Sequence, residues 1–167
     1  MLEGFFYSHP AFSSDTKREP LTLEEPFYSK GLSFECTRCS ACCRFDPGYV
    51  FLSETDLQRL MAFTGLEREE FISRYCRKVD AGGFKRLSLK EKTNNDCWFW
   101  EENGCTVYEA RPLQCRSFPF WFVTMGSREA WDLEAAHCPG INRGRVHSRE
   151  EIEAWLSWRK REPYIEG

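Results

Sequence analysis

The sequence predicts a small single α+β domain of short helices and hairpins, with cysteine-rich loops gathered around bound metal. Three observations lead there. The chain has 167 residues, the length of one ordinary domain and enough to bury a core without crosslinks. Short apolar stretches of helical and of strand period follow one another, punctuated by Gly, Pro and Asn. Nine cysteines are present, four of them within eight residues as Cys36-Thr-Arg-Cys39-Ser-Ala-Cys42-Cys43, which concentrates sulfur where a disulfide scaffold would spread it.

Composition narrows the function. A net charge of -3 and a pI near 5.7 exclude a strongly basic surface, so nucleic acid is not an expected partner. The uncharged run between Arg116 and Arg128 is too short to span a bilayer, and Met1-Leu-Glu-Gly-Phe-Phe-Tyr7 has neither the basic start nor the apolar run of a signal peptide. A soluble, cytoplasmic protein without a membrane partner is expected. An odd cysteine total in a reducing compartment reads as metal binding, ahead of redox-active thiols or a secreted disulfide protein.

Element by element, residues 1–31 carry Pro10, Pro20 and Pro26 and no clear period, and read as an irregular arm laid over the core through Phe5, Phe6, Phe12 and Phe27. Residues 32–147 form the cysteine-cluster metal-binding domain. Within it Tyr49–Leu52 is a strand candidate. Ser53-Glu-Thr-Asp56 opens a helix that Gly65 ends. A second helix is expected over 66–78, then a turn at Gly82-Gly83 and a strand over 84–89. Asn103-Gly104 predicts a hairpin that would pair Cys105 with Glu102 and leave Cys97 on the opposite face, so a shared ion there needs a distorted loop. Arg111–Arg116 looks like one helical turn, Phe118–Leu133 like a hairpin around Gly126, and Cys138-Pro-Gly140 closes a loop. Residues 148–167 form a C-terminal amphipathic helix, capped by Ser148 and Glu151 and packed on the same domain through Ile152, Trp155, Leu156 and Arg159.

The C-x2-C step lets one tight turn present two thiolates to one ion, and zinc and iron-sulfur clusters both favour four such ligands. Here the step occurs twice in succession, as in the three-ligand run of bacterial ferredoxins. Adjacent Cys42 and Cys43 should diverge, by about 100° on a helix or 180° on a strand. Either one is idle, or there are two sites, or a cluster is bridged unusually.

The cluster, followed by Cys97-Trp-Phe, by Gly104-Cys-Thr-Val-Tyr108-Glu-Ala-Arg111-Pro-Leu-Gln-Cys115-Arg116-Ser-Phe-Pro119 and by Cys138-Pro-Gly, resembles the CxxCxxCC cysteine-cluster family, a YkgJ-type group described as zinc- or iron-chelating. The resemblance covers about residues 34–140. It implies Cys36, Cys39, Cys42, Cys43, Cys97, Cys105, Cys115 and Cys138 as metal ligands, and a zinc ion or iron-sulfur cluster as the cofactor, with a slight lean to iron. It implies no settled reaction.

Among the remaining candidates, Cys76 reads as a small buried hydrophobe and His137 as a loop histidine. Arg111 and Arg116 flank Cys115 and are expected to assist the cofactor. On one helical turn Arg111 and Cys115 share a face, so Arg111 should reach sulfur or a loop carbonyl, while Arg116 points about 100° away toward a carboxylate. The aromatic runs read first as core, and Arg143, Arg145 and Arg149 as solvated surface. Two functions compete: a metal-binding module with a structural, chelating or assembly role, and an iron-sulfur enzyme or electron carrier, for instance in protein modification. The three-cysteine spacing of radical enzymes that use S-adenosylmethionine is absent, as are H-E-x-x-H and phosphate-loop motifs. A protein partner is allowed, but none is identified.

Overall fold

The computed structural model describes residues 25–167, so the first 24 residues, with Phe5, Phe6 and Phe12 of the expected arm, lie outside the description. Two hydrophobic clusters organise the rest, and the cysteine-rich segments run between them. No helix among the described residues is long and apolar enough to cross a membrane.

The first cluster follows the sequence closely. Helix α1, Glu54–Thr64, starts at a reciprocal cap: the Ser53 hydroxyl accepts from Asp56 N, and the Asp56 carboxylate accepts from Ser53 N. Gly65 ends it with a left-handed φ of 70°. Helix α2 covers only Arg68–Tyr75, not 66–78. The chain leaves the helix at Cys76 because β2, Cys76–Ala81, pairs along its whole length with β3, Phe84–Leu89, which seats Cys76 opposite Leu89. The expected strand at 49–52 is extended and bonded to β3, with Leu52 N donating to Leu87 O and Leu89 N to Val50 O. Leu57, Leu60, Phe71, Leu87 and Leu89 fill this core.

The second cluster was harder to foresee. A three-residue strand β1, Leu32–Phe34, pairs antiparallel with β6, Ile141–His147, more than 100 residues later. The hairpin expected around Gly126 is absent. Helix α4, Arg128–His137, stands there, because Ser127 caps it by accepting from Ala130 N, Arg128 pairs with Asp132 one turn on, and Trp131 is wholly buried. Helix α5, Arg149–Arg161, has the foreseen Ser148–Glu151 box and packs Ile152, Trp155 and Leu156 on this cluster, with Phe27 and Tyr28 of the arm beside them.

Three ties join the clusters. After α5 the chain returns to the first core, where Ile165 N donates to Leu52 O and Leu87 N donates to Ile165 O. Gln114 acts as a side-chain strand: its Oε1 accepts from Phe51 N at 3.1 Å and its Nε2 donates to Tyr49 O at 2.7 Å. Asp56, 1% exposed, uses its second oxygen to accept from Leu113 N at 2.7 Å.

Asp56 therefore satisfies two buried donors. Replacing it by Ala strands both, at roughly 1–3 kcal/mol for each unpaired group. Urea unfolding of Asp56→Ala should show a midpoint lowered by about 2–4 kcal/mol of stability with an unchanged m-value. A midpoint within error of the parent would deny this carboxylate its role as a tie.

Candidate metal centre

The cysteine loop, residues 36–45, has an unusual backbone. Arg38, Ser40 and Phe45 hold left-handed φ values of 56°, 64° and 76° without being glycine, and Ala41–Cys43 is a single 3-10 turn. Each such residue costs on the order of 1–2 kcal/mol. No side chain of the 3-10 turn is fully buried: Ala41 and Cys43 are half-buried and Cys42 is exposed. The loop is held by Cys97 N donating to Cys43 O at 2.8 Å, and by Arg44, which bonds Asp96 at 3.3 Å and stacks on Trp100 at 3.7 Å from the ring centre.

The other cysteines reach this loop by different routes. Cys97 does not lie on the hairpin strand. Trp100 N donates to Cys97 O, closing a turn that frees Cys97 from the face its sequence position would impose. The hairpin register is also shifted: β4, Trp100–Glu101, and β5, Gly104–Cys105, pair Cys105 with Trp100 instead of Glu102, with Glu102 and Asn103 as the turn. Cys115 rides on α3, Leu113–Arg116, which starts only after Pro112, so Arg111 lies outside the helix and the expected shared face is not formed that way. Gln114 clamps this helix in place, and the Trp121 indole donates to Gln114 O.

Cys138 follows α4, and its neighbour Gly140 is packed so tightly that an added Cβ would lie 2.1 Å from Glu35 O. Glu35 N in turn donates to Gly140 O. This close backbone crossing brings Cys36 and Cys138 into the lining of one cavity.

The result is two adjoining cavities that share Cys36, Cys39, Cys42, Cys43, Cys97 and Cys115. The first, about 430 Å³, adds Cys138, and the second, about 400 Å³, adds Cys105. The walls of the first come from both cores, with Phe34 and Phe118 on one side and Val50 and Leu89 on the other, while the second is walled by Val50, Leu89, Phe99 and Val107 of the first core. All nine cysteines are free thiols, and Cys76 alone lies apart, buried in the first core, where burial pushes its thiol up to about 12.

Cys42 is the electrical centre of the group. The Cys43 thiol hydrogen-bonds to it across 3.8 Å and lowers it to about 7, while the same bond and burial push Cys43 far up. Burial raises Cys97 to about 11 and lifts Cys105, Cys115 and Cys138, and the charge at Cys42 adds to all four. The expectation that Cys42 and Cys43 diverge is corrected. Two sulfurs bound at about 2.3 Å to one tetrahedral ion stand about 3.8 Å apart, the separation seen here. Among the described residues no three His, Cys, Asp or Glu side chains already stand in coordinating geometry around one point.

Arg111 and Arg116 separate. Arg111 lines the second cavity, lies 3.4 Å from the Tyr108 ring centre and donates from Nε to Tyr108 O at 2.8 Å. Its charge lowers Cys42, Cys105 and Cys115. Among the described residues Arg116 meets no carboxylate within ion-pair distance: it donates to Arg111 O and sits against Trp158. His137 accompanies Cys138 at the rim of the first cavity, with Nδ1 3.1 Å from Leu133 O. Gln114, Gly140 and Tyr108 are positioning residues that sequence reasoning did not single out. Only their place inside the motif segments could have marked them.

Gly140→Ala should drive its methyl into the Glu35 carbonyl and part Cys36 from Cys138. We expect a stability loss on the order of 2–3 kcal/mol by chemical denaturation. A neutral substitution would show that the crossing has slack.

Residues 35–139 match the family model CxxCxxCC, described as "Putative zinc- or iron-chelating domain". A curated relative, an uncharacterised protein of Methanocaldococcus jannaschii, is 29% identical over 141 residues, covering 81% of this chain and 46% of the relative. The chain thus spans about half the length of the relative it matches. No solved structure matches it.

Proposed function

Because the chain belongs to the CxxCxxCC family, named for zinc or iron chelation, we propose that it is a metal-binding module that holds zinc or iron through its cysteine thiolates. The observation that carries this reading is the lining of the two adjoining cavities: eight cysteines from segments spread over residues 36–138 line one or both of them, and the ninth, Cys76, lines neither. Soft sulfur donors in that number suit zinc or an iron-sulfur cluster and do not suit calcium or magnesium. Four thiolates saturate one zinc. Eight therefore fit two metal positions on either side of the 36–43 loop, one toward Cys138 and one toward Cys105, with the Cys42–Cys43 pair between them.

Bound metal would supply positive charge to sulfurs that burial otherwise keeps protonated, and would offset the left-handed strain of a loop with no apolar anchor. Binding and folding of the loop are then one event. The role that follows is structural or chelating.

Metal content of protein purified without oxygen tests the reading. Two zinc ions per chain, or iron with matching sulfide and a brown colour, is the expected result. Cys138→Ser should lose one position's metal under chelator challenge, while Cys76→Ala keeps all of it at a stability cost on the order of 1 kcal/mol. Protein that is metal-free and takes up neither ion after reduction would overturn it.

A further inference from the structure

The two cavities differ in what lines them besides sulfur. The second carries Arg38, Arg44 and Arg111 against a single carboxylate, Glu102. Arg44 is occupied by Asp96. Arg38 and Arg111 have no carboxylate within ion-pair distance among the described residues. Both guanidiniums lie against the same ring, at 4.6 Å and 3.4 Å from the Tyr108 centre. Stacking on an aromatic face fixes a guanidinium's plane and leaves its edge N–H groups free for planar acceptors. Tyr108 is itself held by the Arg111 Nε bond to its carbonyl, so this platform is preformed.

Thiolate compensation accounts for part of this charge. Arg111 faces the sulfurs of this cavity as well. Arg38, stacked on the Tyr108 ring beside Arg111, stands at the wall of a cavity whose volume of about 400 Å³ lies in the range of small-molecule sites.

We propose that this cavity binds a small oxyanion-bearing molecule, a carboxylate or a phosphate, between Arg38 and Arg111 and against Tyr108. Two forked donors on one platform match the paired oxygens of such groups. The site rests on the arginines and the aromatic ring and does not depend on which metal the thiols hold.

Calorimetric titration of the full chain, purified with its metal, tests it using inorganic phosphate in one arm and citrate in the other. Saturable binding in one arm is expected, and the responding arm identifies the ligand chemistry. Arg38→Gln should weaken that binding by about tenfold, with metal content unchanged. Arg38→Lys, which keeps the charge but loses the fork, should recover only part of it. Arg143→Gln, a change on the exposed β6 surface, should leave it intact. No saturable heat with either anion overturns the proposal, as does an equal loss in Arg38→Gln and Arg143→Gln. Loss of metal from the parent protein would instead strike the thiolate reading, so the two failures are distinguishable.

Discussion

Sulfur ionisation at the seam between two hydrophobic clusters is the constraint on which the rest of the molecule depends. Cys97, Cys105, Cys115 and Cys138 are raised by burial and raised again by the charge at Cys42. Burial and mutual repulsion act in the same direction, so the thiols cannot ionise together unless positive charge joins them. Arg111 supplies a little of it, through three of the sulfurs. One guanidinium cannot balance several thiolates, and a divalent cation can. The cysteine loop is built accordingly. It places left-handed residues at 38, 40 and 45 and fully buries no side chain of its 3-10 turn, so its conformation draws little from the hydrophobic effect.

Precision at the seam comes from polar ties. Gln114 pairs with the 49–51 backbone as a neighbouring strand would, which places Cys115 without a sheet. Asp56 joins the start of α1 to the start of α3. The crossing of Glu35 and Gly140 leads Cys36 and Cys138 into the lining of the first cavity. Each tie is short in space and long in sequence, so cysteines from four distant segments converge although no single element carries them all.

Features with local causes were legible in the sequence. Both capping boxes, the Gly65 stop and the Gly82-Gly83 turn that leads into β3 follow from neighbouring residues alone, whereas β2 lies where the local pattern continues a helix. The gathering of eight cysteines at the two cavities was legible by resemblance, and the separate standing of Cys76 by its apolar neighbours. What escaped had no local signature. β6 buries only its first and last residues, Ile141 and His147, so it shows no alternation, and its partner β1 has three residues. The aromatic run before Gly126 has the composition of a strand and masks the Ser127 cap that starts α4 directly after it. The closeness of Cys42 and Cys43 came from a 3-10 turn that neither helix nor strand geometry describes.

The two sides of the loop present opposite surroundings. The first cavity carries Asp46, Glu91 and Glu134 beside His137, and its lysine, Lys90, is turned away to donate to Ser73 O and Arg74 O. Arg44, which lines both cavities, is held by Asp96, and Glu91 is held by Arg77, which leaves Asp46 and Glu134 without an ion-pair partner there among the described residues. The second cavity presents Arg38 and Arg111 with the single carboxylate Glu102. Low-dielectric walls focus fields of this kind, so the surroundings are the more negative on the side of Cys138 and the more positive on the side of Cys105.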